Sequence, residues 1–450
     1  MKKFTILAAV LTIGCTPKLQ QPDIVAPKEY LYITARDTAE FQCNNWWEIF
    51  RDTTLNRLVT TALSANNDLR AAYSRIEEAR ANMRVARSSF LPSFNLGRSA
   101  EVGGDNKGVK QQYIIEPSVN WEIPLFGSLG ATTMVANAEI EYAQWQYQGV
   151  KLSLAAEVAT TYFTILQYQR DLEIAKESSR LRSQTATLVD SLFVRGMASR
   201  VNREQAYSLL YTSMSDIPLY QRAISQSLLS LDILLNRQPQ NKECCTIDNS
   251  LSVNYIPIGI PAGVPSDLLY RRPDVMSSFA ELTAAAARAK LARIERFPTF
   301  TLTGAGGAIS NDISTLFSSG SWNWNLLLSL SQPLYRFGAL KGGEKVAVER
   351  YNQSLTAYNQ AFLTALIEVE KSLVAITTYR EQLKRYKELV DSNEAINNLT
   401  KSLYFNGLSA YLDVIDAERT LYNSQMEYSN LIAAQYINYI KLCKALGGSW

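Results

Sequence analysis

Leu192-Phe193-Val194-Arg195-Gly196-Met197-Ala198-Ser199 returns 211 residues later as Leu403-Tyr404-Phe405-Asn406-Gly407-Leu408-Ser409-Ala410. At the same shift Ala206, Leu210 and Tyr211 recur as Ala417, Leu421 and Tyr422. Upstream, Phe90-Leu91-Pro92-Ser93-Phe94-Asn95-Leu96 returns 206 residues later as Arg296-Phe297-Pro298-Thr299-Phe300-Thr301-Leu302. Fixed spacings of this kind mean one structural unit used twice. The two repeats are placed at 46–250 and 251–450, so the function lies in what two such units build together.

The glycine segments sit between stretches that avoid proline, which breaks helices. No proline occurs between Pro124 and Pro218, and none after Pro333. Within the second stretch Leu355, Tyr358, Phe362, Leu366, Val369, Leu373, Ile376, Tyr379, Leu383, Tyr386 and Val390 advance by threes and fours. The mean step is about 3.5 residues, the coiled-coil repeat. The pattern predicts a helix from about Leu340 to Tyr404, ~95 Å long at 1.5 Å per residue, and an equivalent one from Ser128 to Phe193. Each ends at a glycine tip, 193–200 and 404–411. Return helices follow over about Val201 to Arg237 and Tyr411 to Leu446, the first broken or kinked at Ile217-Pro218.

The period changes to two in a pair of places. Tyr113, Ile115, Pro117, Val119, Trp121 and Ile123 alternate with a mostly polar set, as do Trp322, Trp324, Leu326, Leu328 and Leu330. Alternation of this kind is strand. Shorter partners precede them at Ser93–Ala100 and Thr299–Ala305, with turn-rich segments at Gly103–Gly108 and Gly306–Gly320. Two hairpins result, about 91–126 and 298–337. A soluble sandwich edge also alternates. Three tryptophans on the apolar face opposite glutamates and asparagines fit lipid on one side and water on the other. Four strands cannot close a barrel, and open edges are not tolerated in lipid. A membrane barrel built from this chain is therefore an oligomer.

Lys2-Lys3 followed by the apolar run Phe4–Ile13 reads as a signal peptide over 1–14, too short to span a bilayer. It ends Leu11-Thr12-Ile13-Gly14-Cys15, which resembles a bacterial lipobox with Cys15 as the acylated residue. An ordinary secretion signal with a chance cysteine is the alternative. Residues 15–45 then form a lipid-anchored tether containing Pro17, Pro22 and Pro27. Cys43, Cys244, Cys245 and Cys443 lack the spacing of a metal site. They are either unpaired or joined in an oxidising compartment. With 45 basic and 42 acidic residues, nothing argues for nucleic acid. With no histidine in the chain, the commonest general base and metal ligand are missing. No nucleophile–base or metal constellation replaces it, so an enzyme, a cofactor and a metal are not expected.

Several stretches together resemble the TolC-type outer-membrane efflux factors, in their NodT-type lipoprotein branch. They are Asn66-Asn67-Asp68-Leu69-Arg70 through Arg84–Pro92, Pro265-Ser266-Asp267-Leu268-Leu269-Tyr270-Arg271-Arg272-Pro273-Asp274, Gln332-Pro333-Leu334-Tyr335 to Gly338, and Ala445-Leu446-Gly447-Gly448-Ser449-Trp450. The resemblance implies a mainly α fold with a membrane β-barrel portion. Three chains would share a twelve-stranded barrel in outer-membrane lipid and a long α-helical coiled-coil tunnel in the periplasm. It implies a passive exit duct for small amphiphiles, joined by a periplasmic adaptor to an inner-membrane transporter of the resistance-nodulation-division type. A type I protein secretion duct and a structural coiled-coil lipoprotein are the alternatives.

The resemblance also gives roles to the tips. Arg195, Gly196 and Met197 in one, and Asn406, Gly407 and Leu408 in the other, would meet the adaptor. The alternative is glycines needed only for the turn. Asp413 and Asp416 match the family's constricting aspartates and share one helix face. They also suit a helix N-terminus, with Ser409 as its cap. Tyr404 matches a gate-linking tyrosine. Its usual aspartate partner falls on Asn202, and a usual arginine falls on Ser409. Arg200 or Arg203 is then expected to supply the missing charge by pairing with Asp413 or Asp416.

Overall fold

A computed structural model describes residues 19, 22, 26–32, 45–105, 108–239 and 265–448. The signal peptide, Cys15, most of the tether, Cys43, Cys244 and Cys245 lie outside the described residues. In chain order the helices are α1 (Thr53–Ala65), α2 (Asn67–Ser88), α3 (Ser128–Val194), α4 (Arg200–Leu234), α5 (Leu268–Arg271), α6 (Pro273–Ile294), α7 (Ala339–Phe405) and α8 (Tyr411–Ala445). The strands are β1 (Ser93–Asp105), β2 (Gly108–Ile123), β3 (Thr299–Ser310) and β4 (Trp322–Ser331). The two long helices each contain 67 residues and the two return helices 35, so the duplication extends to element length. No described helix is long and apolar enough to cross a membrane.

The chain divides into two units. The first, residues 72–146 and 274–361 together with the amino-terminal stretch, contains the sheet. Its strand order is β1-β2-β3-β4, antiparallel throughout. Opposed residues share a face in such a sheet. Trp121 therefore lies beside Leu302 and Leu328, Val119 beside Phe94, Gly304 and Leu326, and Ala308 beside Trp322. One apolar band thus crosses all four strands, with Asn95, Asn120, Thr303 and Ser118 among those on the other face. The strands run to 13, 16, 12 and 10 residues, enough to cross lipid when tilted. Trp322, Trp324, Leu326, Leu328 and Leu330 are all exposed in the single chain, and β1 and β4 are open edges.

Gly306 and Gly307 correct an expectation. They lie inside β3, not in the turn that glycine usually signals. Pro117, opposite them, has no N–H to give the ladder. The β2 and β3 backbones close together there, and a Cβ on Gly307 would collide with the Ile115 carbonyl oxygen and stand 2.7 Å from Glu116 Cα. Both strand-to-helix junctions use the same device. Phe126-Gly127 and Phe337-Gly338, related by the same shift as the glycine tips, all have positive φ.

The second unit, residues 25–71, 147–273 and 362–450, is helical. Its core packs Phe50 on Phe163 and Phe163 on Tyr436, the latter pair stacked at 4.2 Å. Asp52 caps α1 through Thr54 and Leu55 and accepts a hydrogen bond from the buried Tyr162 hydroxyl. Two of the sequence motifs meet here. Arg272, buried, donates to the Ala445 carbonyl and pairs with Glu368 at 2.7 Å. Gly447, at φ 90°, lies so close to Arg271 that a Cβ would sit 2.7 Å from its carbonyl oxygen. Cys443 is a buried free thiol, its pKa pushed up to about 12 by burial. Of the break or kink expected at Pro218, the break does not occur, and α4 runs through it. Pro218 is exposed, and so is Met214, whose carbonyl loses its partner and can bond water instead.

Asp171 on α3 is 3% exposed, and its Oδ1 has no partner among the described residues. Burial raises its pKa to about 6, against smaller opposing contributions from Ser429, Gln167 and Arg170. The raised value means the folded state holds the proton more tightly than the unfolded chain. Stability therefore falls as pH rises from about 4 to 6 and stays lower above that. We predict that Asp171→Asn raises stability by about 3 kcal/mol at pH 8 and by nothing at pH 4, measured as thermal unfolding in detergent at both pH values. Equal shifts at the two pH values would refute it.

Candidate functional site

Both tips are Schellman turns. The Met197 N–H donates to the Leu192 carbonyl at 2.8 Å and the Gly196 N–H to Phe193. The Leu408 N–H donates to Leu403 at 2.9 Å and the Gly407 N–H to Tyr404. This closure needs a left-handed residue after the helix, and Gly196 and Gly407 supply it at φ 75° and 73°. Around them the repeat shows on the surface. Val194, Met197 and Val201 are exposed on the first tip, and their repeat counterparts Phe405, Leu408 and Leu412 are exposed on the second. Exposed apolar groups in matched clusters mark surfaces that meet something.

The caps differ. Ser199 Oγ accepts from the Asn202 N–H at 3.1 Å, an ordinary N-cap. The second return helix begins after Ala410, which has no polar side chain. There Asp413 reaches back and accepts the Ala410 N–H at 3.1 Å. The expected Ser409 cap is therefore absent, and the Ser409 hydroxyl is buried with no partner among the described residues. Asp416 pairs with Arg419 at 2.7 Å. Asp413 and Asp416 are both exposed, whereas Tyr411, Val414 and Ile415 of the same helix are buried.

Under the turns the two hairpins share a small core. Ala186, Val189, Ala206, Leu210, Tyr411, Val414 and Ile415 are buried together, with Tyr404 and Tyr207 against them. The Tyr404 ring lies 5.3 Å from Tyr411. Burial raises the pKa of both phenols, so both stay neutral. Among the described residues no hydrogen bond joins Tyr404 to Asn202, and no ion pair joins Arg200 or Arg203 to Asp413 or Asp416. Arg203 pairs instead with Asp190 at 2.5 Å and Glu204 at 3.2 Å, and its guanidinium lies over Tyr207. Arg200 reaches Glu204 at 4.0 Å.

A charged cluster lies deeper. Glu418 on α8 is 7% exposed and Arg182 on α3 is 4% exposed. Glu418 accepts both cations, with Lys401 of α7 at 2.8 Å and Arg182 at 3.9 Å from its carboxylate. Arg182 also donates to the Leu209 carbonyl of α4 and covers the Tyr422 ring, whose hydroxyl donates to Asp216 at 2.7 Å. Burial lowers the Arg182 pKa, but Glu418, Tyr422 and Asp216 pull it back. All four helices of the tip bundle enter this network. Sequence reading passes over it, although Glu418 interrupts the stripe Tyr411, Val414, Ile415, Tyr422. That interruption is the signal, since a carboxylate on a buried stripe needs a cation facing it. Lys401 is the repeat counterpart of Asp190, so each hairpin is clipped by an ion pair of opposite polarity.

Among the described residues no group of acidic or cysteine side chains could hold a metal ion. The arrangement is a pair of turned helix ends with apolar tips and an exposed acidic face, with a charged cluster buried beneath them.

The outer membrane efflux protein model matches residues 58–237 and 264–448. The probable efflux pump outer membrane protein SepC of Pseudomonas putida is 31% identical over 416 residues, covering 90% of this chain and 85% of SepC. The probable outer membrane lipoprotein SilC of Salmonella typhimurium is 27% identical, covering 100% of this chain and 99% of SilC. A crystal structure of CusC superposes with a TM-score of 0.86 at 27% identity, over 96% of this chain and 99% of that one. With both repeats matched across most of their length, the chain belongs to the outer membrane efflux protein family.

Proposed function

We propose that this chain is one third of a trimeric outer-membrane exit duct. Three four-stranded sheets close a twelve-stranded barrel, and the paired helices form the periplasmic tunnel. The open-edged sheet with its outward apolar band carries this reading, because lipid admits no unpaired edge. Cys15 anchors the amino terminus to outer-membrane lipid. A periplasmic adaptor docks on Arg195, Gly196, Met197, Asn406, Gly407 and Leu408. An inner-membrane transporter of the resistance-nodulation-division type supplies the energy. The cargo is small amphiphilic compounds; small organic molecules also appear in the names of the P. putida relatives, a toluene and a solvent efflux pump protein.

At the mouth, Asp413 and Asp416 of three copies form two carboxylate rings. Rings of like charge repel and favour cations. Tyr404 on Tyr411, with Asn202, Arg200 and Arg203 on the neighbouring tip, sets how closely they approach. Asp416→Ala removes one ring and is expected to lower cation selectivity in planar bilayers, and unchanged selectivity would remove Asp416 from the mouth. Deleting the gene tests the whole reading. Sensitisation to drugs and detergents, reversed by the intact gene, is the expected result. A secretion defect without sensitisation would favour a protein duct, and neither defect would favour a structural lipoprotein.

A further inference from the structure

We infer from the internal repeat the register in which β4 of one copy joins β1 of the next, and a ring contact that seals the base of that seam. The inference rests on the trimeric reading above. Two shifts relate the hairpins: the first strand follows the shorter one, set by Phe90–Leu96, and the second follows the longer one, set by the glycine tips. The pairing bears them out independently of sequence similarity. Ser93 opposes Asn120 in the first hairpin, and the shifted residues Thr299 and Ser331 oppose each other in the second. Leu96 opposes Pro117, and Leu302 opposes Leu328.

The chain contains one junction between hairpins, β2 with β3. In a closed ring of hairpins every such junction is equivalent, so the same shifts carry β2–β3 onto β4–β1 of the neighbour. Val119 opposes Gly304 and becomes Leu330 opposite Arg98 of the next copy. Ile115 opposes Ala308 and becomes Leu326 opposite Val102. Asn120 opposes Thr303 and becomes Ser331 opposite Gly97. The face rule is an independent check. Both members of each carried pair come from the same face of their own sheets, lipid with lipid and lumen with lumen. A slip of one residue would place every lipid-facing side chain of one strand opposite a lumen-facing one of the other.

The junction also predicts what covers an exposed ring. Phe126 stacks on Phe297 at 5.0 Å, closing the base of the β2–β3 junction. The shifts carry this pair to Phe337 and Leu91. In the single chain Phe337 is 89% exposed and Leu91 is 65% exposed. Two large apolar side chains are therefore left uncovered at the two positions that the repeat assigns to each other across the seam. Their occupant is a second copy of this chain, with Phe337 of one copy against Leu91 of the next.

Cysteine crosslinking in intact outer membranes tests the register. Cys43, Cys244 and Cys245 are replaced by serine, and Cys15 is kept. Leu330→Cys is combined in turn with Arg98→Cys, Leu96→Cys and Ala100→Cys, and a further protein carries Phe337→Cys with Leu91→Cys. Directly opposed Cβ atoms lie about 4.5–5.5 Å apart and diagonal ones about 7–8 Å. Oxidation is expected to give trimer-sized bands most strongly for the 330/98 pair and for 337/91. Strongest crosslinking at 330/96 or 330/100 would overturn the register and leave the trimer standing. Intersubunit bands at 330/98 without 337/91 would overturn the ring contact alone. No intersubunit band in any combination would overturn the trimeric reading itself.

Discussion

Glu418→Ala is expected to destabilise the tip bundle by about 3–5 kcal/mol, the usual cost of breaking a buried ion pair by removing one partner. The substitution leaves Arg182 and Lys401 facing each other with no carboxylate between them. Arg182 is the more costly of the two, because it is nearly fully buried and cannot swing to water. The loss is to be read by thermal unfolding of the purified protein and by protease sensitivity of the tips. Replacing the cluster as a unit, with Glu418→Leu, Arg182→Met and Lys401→Met together, is expected to recover most of the loss. A Glu418→Ala protein as stable as the wild type would show that water reaches the cluster and that the charges do not lock the helices. Stability and conductance together separate a lock from a gate. If the cluster holds the hairpins in place, Glu418→Ala raises both protease sensitivity and conductance.

Gly307→Ala is expected to abolish assembly in the outer membrane. The added carbon meets backbone atoms of Ile115 and Glu116, which have no rotamer to change. The β2–β3 junction must then open, and with it the sheet, at a cost beyond the roughly 1–3 kcal/mol of ordinary overpacking. Gly97→Ala serves as the control. It also lies in a strand against Glu116, but its new carbon would sit an ordinary 3.5 Å from the carbonyl oxygen. Heat-stable oligomer on a gel should vanish for Gly307→Ala and persist for Gly97→Ala. Survival of both would mean that the strands separate at Pro117 without consequence.

Periodicity made the elements readable. Leu355 to Val390 form a stripe whose members are mostly buried, and the tryptophans of β4 stand on one face as their alternation requires. The tips were readable because glycine at positive φ leaves a local mark. What escaped depends on partners distant in sequence. Gly306-Gly307 looks like a turn unless Pro117, in the other hairpin, is known to face it. Pro218 looks like a break unless the exposure of its turn is known. Arg182, Lys401 and Glu418 come from three helices, and no spacing announces that they converge. Asp413 could be seen as an acidic residue near a helix start, but its role as the cap follows only from Ala410 being unable to cap itself.

The open edges of β1 and β4 also bear on gene dosage. If three copies complete the wall as proposed, it forms by mass action, so at low concentration its amount follows the cube of the free subunit. Halving the free subunit pool then leaves roughly one eighth of the ducts. Meanwhile each unassembled subunit carries two unpaired strand edges that can pair wrongly. Resistance conferred by such a duct would therefore respond to expression as a threshold.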